Sequence, residues 1–225
     1  VGLLFITPLW ALYEILAYKI NNGWVGEMRT GVDFLFKTML TKIKMHAGLA
    51  IIIPAFFLIW VVIRQQKAIK KFAKRPTRFG FMFFESILFA AVFGLAVGFV
   101  TLIFLSSTNA DLSNARVAAL IVHLGSGVYE EVFFRLILIS AIVFVLQRFF
   151  VMRAVPCFAV AIFCSSAIFA GCHYLPIFRE PFEIKSFVFR VIAGVAFALL
   201  FVFRGVGITA YTHSLYNILL MFRLP

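Results

Sequence analysis

The chain has 225 residues, of which 64% are hydrophobic, 17% aromatic and only 13% charged, with a net charge of +12. Its mean hydropathy is +1.06; a soluble globular chain is nearer half apolar and a quarter charged, so this composition excludes a soluble fold and implies an integral membrane protein. The length allows about seven or eight spans of ~20 residues with short connections, which predicts an all-α polytopic helix bundle forming a single membrane domain over residues 1–225.

Val1 to Ile20 reads as a first span, interrupted by Pro8 and carrying Glu14 and Lys19. It lacks a basic leading region and a small-residue cleavage site, so a span is expected rather than a signal peptide. Asn21 to Thr30 is a polar, glycine-containing loop. From Asp33 to His46, apolar Phe34, Leu35, Met39, Leu40 and Ile43 alternate with Lys37, Lys42 and Lys44, a pattern that suits a helix lying in the membrane interface. A second span is expected over 47–63, with Pro54 tolerated inside a bundle.

Seven of the 21 basic residues (Arg64, Lys67, Lys70, Lys71, Lys74, Arg75 and Arg78) then fall in one connection. Basic clusters of this kind set topology and meet anionic lipid, so the bilayer is the expected partner and nucleic acid is not. A third span runs over about 79–105, with Glu85 near its start and a Gly94-x-x-x-Gly98 spacing that permits close helix approach. Residues 106–114 form a polar turn, where Ser113 or Asn114 is a candidate cap for the next helix.

Val117 to Phe150 is an apolar run of 34 residues, ~51 Å as a continuous helix against a hydrocarbon core of ~30 Å. It is expected to bend, tilt or break, with the break at Gly125-Ser126-Gly127 and Glu130 and Glu131 in the first turn of a new helix. Charges inside such a run cost at least ~2.5–3.5 kcal/mol each and need a reason to be there. Glu131 and Arg135 are four residues apart, at ion-pair spacing on one face. Glu130 points about 100° away and cannot share that arginine equally. One carboxylate thus has a structural partner and its neighbour is left for other work.

Three further segments follow: a fifth span over 154–175, a sixth over 186–203 and a seventh over 205–222. The fifth ends in Phe169-Ala170-Gly171-Cys172-His173, and the seventh carries Thr209, Thr212, His213, Ser214 and Asn217. His213 and Asn217 share a helical face. In adjacent antiparallel helices, Glu130 and His173 fall on the same side of the membrane. Cys157, Cys164 and Cys172 lie in one apolar segment at no metal-binding spacing and read as small hydrophobes. His123, Glu14 and Glu85 have no motif partner and read as structural or interfacial.

Glu130-Glu131-x-x-x-Arg135, Phe169-x-x-x-His173 and His213-x-x-x-Asn217, in this order on successive apolar segments, resemble the CAAX-protease and bacteriocin-processing family of intramembrane glutamate proteases, which includes the Ras-converting CAAX endopeptidases. The resemblance covers about residues 79–222 as a protease core and does not extend to 1–78. It implies a metal-independent hydrolase without cofactor, in which Glu130 is the general base acting with His173 on water. It further implies that His213 and Asn217 donate to the oxyanion and that Arg135 holds Glu131. The implied partner is a peptide or protein substrate, prenylated or otherwise membrane-anchored, and the expected location is a multi-pass position in a prokaryotic plasma membrane.

Other readings stay open at this point. Two histidines and a glutamate are also a zinc ligand set, although no His-Glu-x-x-His is present. Glu–His–Arg chains relay protons in transporters, although no internal repeat is evident. A non-proteolytic role such as bacteriocin immunity is a third. If the basic connection is cytoplasmic, the site opens to the opposite side, and Lys37, Lys42 and Lys44 count against that orientation.

Overall fold

A computed structural model describes residues 1–26, 28–46, 48–64, 66, 70, 77–104, 115–175 and 181–223, with the side chains of 53, 54, 57, 58, 61, 62, 97–104, 115, 116, 222 and 223 excepted. The expected cap at Ser113 or Asn114 and most of the basic connection lie outside the described residues. Every regular element among the described residues is helical. In chain order they are α1 (Gly2–Asn21), α2 (Gly31–Lys42), α3 (Leu49–Arg64), α4 (Thr77–Phe104), α5 (Ala115–Gly125), a π-helical segment (Ser126–Ile139), α6 (Ser140–Phe150), α7 (Ala154–Cys172), α8 (Ile184–Arg204) and α9 (Val206–Arg223).

Five stretches among the described residues are long and apolar enough to cross a membrane: Gly2–Asn21, Thr77–Ala96, Val117–Phe150, Ala154–Cys172 and Ile184–Arg204. Of the other two expected spans, α3 is described over 16 residues, and α9 is too polar to qualify by composition. The polarity of α9 follows from its place. It packs against α1, α4, α5, the π segment and α8, so Thr209, Thr212, His213 and Ser214 are buried against protein, where intramembrane polar groups find partners. The outer surface carries the large apolar side chains instead, among them Phe81, Phe144, Phe149 and Phe203. The molecule is a polytopic helical membrane bundle with its polar groups inside.

The expected break at Gly125-Ser126-Gly127 does not occur. Gly125 has φ −67° and ψ −39°, ordinary right-handed helix, and the chain runs continuously from α5 through the π segment into α6. A break inside hydrocarbon would strand backbone N–H and C=O groups, whereas π winding keeps them hydrogen-bonded. Glu130 and Glu131 therefore lie inside a helix, not in a first turn. The glycines serve close approach. A Cβ on Gly125 would sit 2.3 Å from the Tyr13 ring of α1, and one on Gly127 would sit 2.4 Å from the Ala210 oxygen and 2.0 Å from Ser214 Oγ of α9. These two positions let α1 and α9 pack directly on the helix that bears the glutamates. At Gly94, by contrast, an added Cβ meets nothing within 4 Å among the described residues.

Helix α2 departs from the expected interfacial arrangement. Asp33, Lys37 and Leu40 are buried, while Phe36, Met39 and Ile43 are exposed. The polar stripe faces the bundle and an apolar stripe faces out, the reverse of an interfacial amphipathic helix. Lys37 is held by Glu14 and Asp33, which neutralise its charge inside the bundle. Only Lys42 and Lys44 remain exposed there.

Candidate active site

The Glu130–Glu131 pair sits in the first half of the π segment, and the two side chains go to different neighbours. Glu131 is fully buried; its Oε1 accepts a hydrogen bond from His213 Nδ1 at 2.7 Å and lies 3.2 Å from Arg135 Nη1. The Arg135 contact is at ion-pair distance but outside hydrogen-bond geometry. The expected i,i+4 pair is present, with α9 supplying a third member. Aromatic rings enclose this triad. The Arg135 guanidinium lies 4.5 Å from the Phe169 ring centroid, a cation–π contact, and the His213 ring stacks on Phe197 at 4.4 Å and 19°. With water excluded on both faces, the charges interact far more strongly than at a surface.

Glu130 is half-buried and takes no part in that triad. Its Oε1 accepts one hydrogen bond, from Thr30 Oγ1 at 3.2 Å. Across from it stands the C-terminal end of α7, where Cys172 lies within electrostatic range of Glu130 and His173 is the next residue. The end of α7 thus approaches Glu130, which lies within a continuous helix rather than at a helix end. No hydrogen bond joins Glu130 and His173 among the described residues. His173 instead bonds the Phe169 carbonyl through Nδ1 at 2.9 Å. A carbonyl only accepts, so Nδ1 carries the proton and the neutral ring leaves its lone pair on Nε2. Helix α7 is itself fixed to the π segment by Ser165 Oγ, which donates to the Phe134 carbonyl at 2.7 Å.

Asn217 lies one turn beyond His213, and its Nδ2 donates to Ser126 Oγ at 3.0 Å. Ser126 in turn donates to the His123 carbonyl at 3.1 Å. That bond engages one of the two amide N–H groups of Asn217. For His213, Nδ1 must hold a proton toward the acceptor-only carboxylate, so Nε2 donates only when the ring carries both protons. His123 lies within electrostatic range of His213. Among the described residues no three His, Cys, Asp or Glu side chains converge as a metal-ligand group.

Several residues that shape this region carry no motif. Phe197 and Ser126 are in direct contact with the site histidine and asparagine. A buried ion cluster of α1 and α2 adjoins the glutamates. Glu14 bonds Lys37 Nζ at 3.0 Å and Arg29 at 3.2 Å, and Asp33 lies 2.7 Å from both Arg29 and Lys37. Tyr129, one residue before Glu130, donates to Glu14 and accepts from Trp10 Nε1 at 3.1 Å. Burial works against the charge of Arg29, but Asp33 and Glu14 outweigh it and raise its pKa above the ordinary value. Glu85 pairs with Arg204 at the exposed edge. The only sign of the cluster in the sequence was Asp33 and Lys37 at i,i+4, with Arg29 four residues earlier; their partner Glu14 lies 15 positions before Arg29.

No curated protein and no solved structure matches the chain. The family model described as type II CAAX prenyl endopeptidase Rce1-like matches residues 112–219. Glu130, Glu131, Arg135, His173, His213 and Asn217 all fall inside the match. Through this segment the chain is similar to the Rce1-like family of type II CAAX prenyl endopeptidases.

Proposed function

We propose that the protein is an intramembrane endopeptidase that hydrolyses a peptide bond near the membrane surface, using water activated by Glu130 and His173 without a metal ion. The family supports a protease and a prenylated CAAX substrate. The observation that carries the mechanism is the division between the adjacent carboxylates. Glu131 is committed to His213 and Arg135, whereas Glu130 accepts one hydroxyl and keeps lone pairs for a water proton.

In the proposed reaction a water molecule gives its proton to Glu130 while His173 Nε2 accepts its second hydrogen as a hydrogen bond. The hydroxide oxygen attacks the scissile carbonyl carbon, and the carbonyl electron pair moves to oxygen. Nε2–H of doubly protonated His213 and the second Nδ2–H of Asn217 donate to that oxyanion, a contribution of ~2.7–4 kcal/mol per donor in comparable sites. Glu130 then returns the proton to the amine as the C–N bond breaks, leaving an acid and an amine. Arg135 holds Glu131, and Glu131 fixes the His213 ring.

The test is cleavage of a farnesylated CAAX peptide and an unmodified leader peptide by purified wild type, Glu130→Gln and His173→Ala, each with and without chelator. The expected result is chelator-resistant cleavage of the prenylated peptide that disappears in both variants. Loss on chelation with recovery on added zinc, or retained cleavage in Glu130→Gln, would overturn the mechanism.

A further inference from the structure

The geometry points to Thr30, outside the matched family segment, as a positioning residue for Glu130; this rests on the reading of Glu130 as the general base. Thr30 occupies the N-cap of α2 with extended backbone (φ −62°, ψ 149°), yet its side chain makes no cap hydrogen bond. A threonine in that position ordinarily turns its hydroxyl back to an N–H of the first helical turn. Here the hydroxyl donates across the bundle to Glu130 Oε1 at 3.2 Å, over a sequence separation of 100 residues. Thr30 is 1% exposed, so water does not compete at its side of the bond.

The backbone of Thr30 is fixed independently of Glu130. Its N–H donates to Tyr13 Oη at 3.2 Å, and Tyr13 donates to Asp33 Oδ2 at 2.7 Å. Asp33 is held in turn by Arg29 and Lys37, and both of these reach Glu14. The two anions and two cations of this cluster balance, which makes it a neutral and rigid anchor. Tyr129, the residue preceding Glu130, donates to Glu14 of the same cluster. One end of the network thus grips the backbone neighbour of the base and the other presents a hydroxyl to its carboxylate. Position and orientation of a general base control the rate of proton transfer, so the α1–α2 unit sets the aim of Glu130 without touching substrate.

The experiment compares wild type, Thr30→Val, Thr30→Ser and Glu130→Gln on the farnesylated CAAX peptide. Valine keeps the shape and removes the donor; serine keeps the donor. Thr30→Val is expected to lower kcat about tenfold, the lower end of what one hydrogen bond to a charged group contributes. KM should stay within about twofold, because only orientation of the base is altered. Thr30→Ser should restore most of kcat. A Thr30→Val enzyme with wild-type kcat, or a Thr30→Ser enzyme as slow as Thr30→Val, would overturn the assignment while Glu130→Gln still reports on the base. A readout without turnover separates the two readings further. The carboxylate stretch assigned to Glu130, by its loss in Glu130→Gln, should be displaced in Thr30→Val and return in Thr30→Ser. An unmoved band would sink the positioning role even if no peptide were cleaved. Thr30→Ala serves in both measurements if Thr30→Val does not fold.

Discussion

Replacing Arg135 with methionine tests how much the enclosed ion pair contributes. The substitution keeps most of the side-chain length and removes the charge, leaving Glu131 fully buried with His213 as its remaining partner. Breaking one side of a buried pair costs about 3–5 kcal/mol. Two features of this site act in opposite directions. His213 stays 2.7 Å from Glu131 Oε1 and offsets part of the loss. The guanidinium over Phe169 is also lost, a desolvated cation–π contact worth about 2 kcal/mol. We therefore expect a net loss of about 3 kcal/mol, roughly a hundredfold in the unfolding equilibrium. The assay is equilibrium unfolding in mixed micelles, followed by tryptophan fluorescence. Glu131→Leu combined with Arg135→Met should lose less than the sum of the single changes, because no uncompensated charge remains. A single Arg135→Met variant within about 0.5 kcal/mol of wild type would refute the argument, since that range belongs to sites without such a feature.

Other consequences follow from the same structure. Gly127→Ala should destabilise by about 1–3 kcal/mol or more, because the new methyl meets backbone of α9 that cannot turn aside; Gly171→Ala, with nothing within 4 Å of the added carbon, should leave the unfolding midpoint unchanged or slightly raised. Lys37→Met leaves Glu14 and Asp33 with Arg29 as their remaining cation among the described residues, and the same unfolding assay should show a loss of about 3 kcal/mol. Asn217→Ala should lower kcat about a hundredfold with KM little changed, as expected for a donor used only in the transition state; steady-state kinetics on the farnesylated peptide would read it.

Much of the bundle and the site was legible because intramembrane charge is expensive. An i,i+4 Glu131–Arg135 pair in an apolar run has few explanations, and the structure contains it. His213 and Asn217 stand out in α9 for the same reason. What escaped was what depends on distant packing. Glycine flanking Ser126 reads locally as a helix break, but in hydrocarbon the backbone must stay bonded, and α1 and α9 use the small residues for approach. Lys37 reads as an interfacial cation because its partner Glu14 is 23 positions earlier and on another helix. Thr30 reads as a loop residue or cap; nothing local indicates that its hydroxyl reaches Glu130. Phe197 is one phenylalanine among 30, and only the fold selects the one that stacks on His213.

The central claim is that two adjacent glutamates do different work, and a paired comparison of Glu130→Gln with Glu131→Gln tests it most directly. Both variants would be measured for unfolding midpoint and for single-turnover cleavage of the farnesylated peptide. The account predicts that Glu130→Gln abolishes cleavage at near wild-type stability, while Glu131→Gln lowers the unfolding midpoint markedly because Arg135 loses its counter-ion. A Glu130→Gln protein that still cleaves, or a Glu131→Gln protein as stable as wild type, would contradict it.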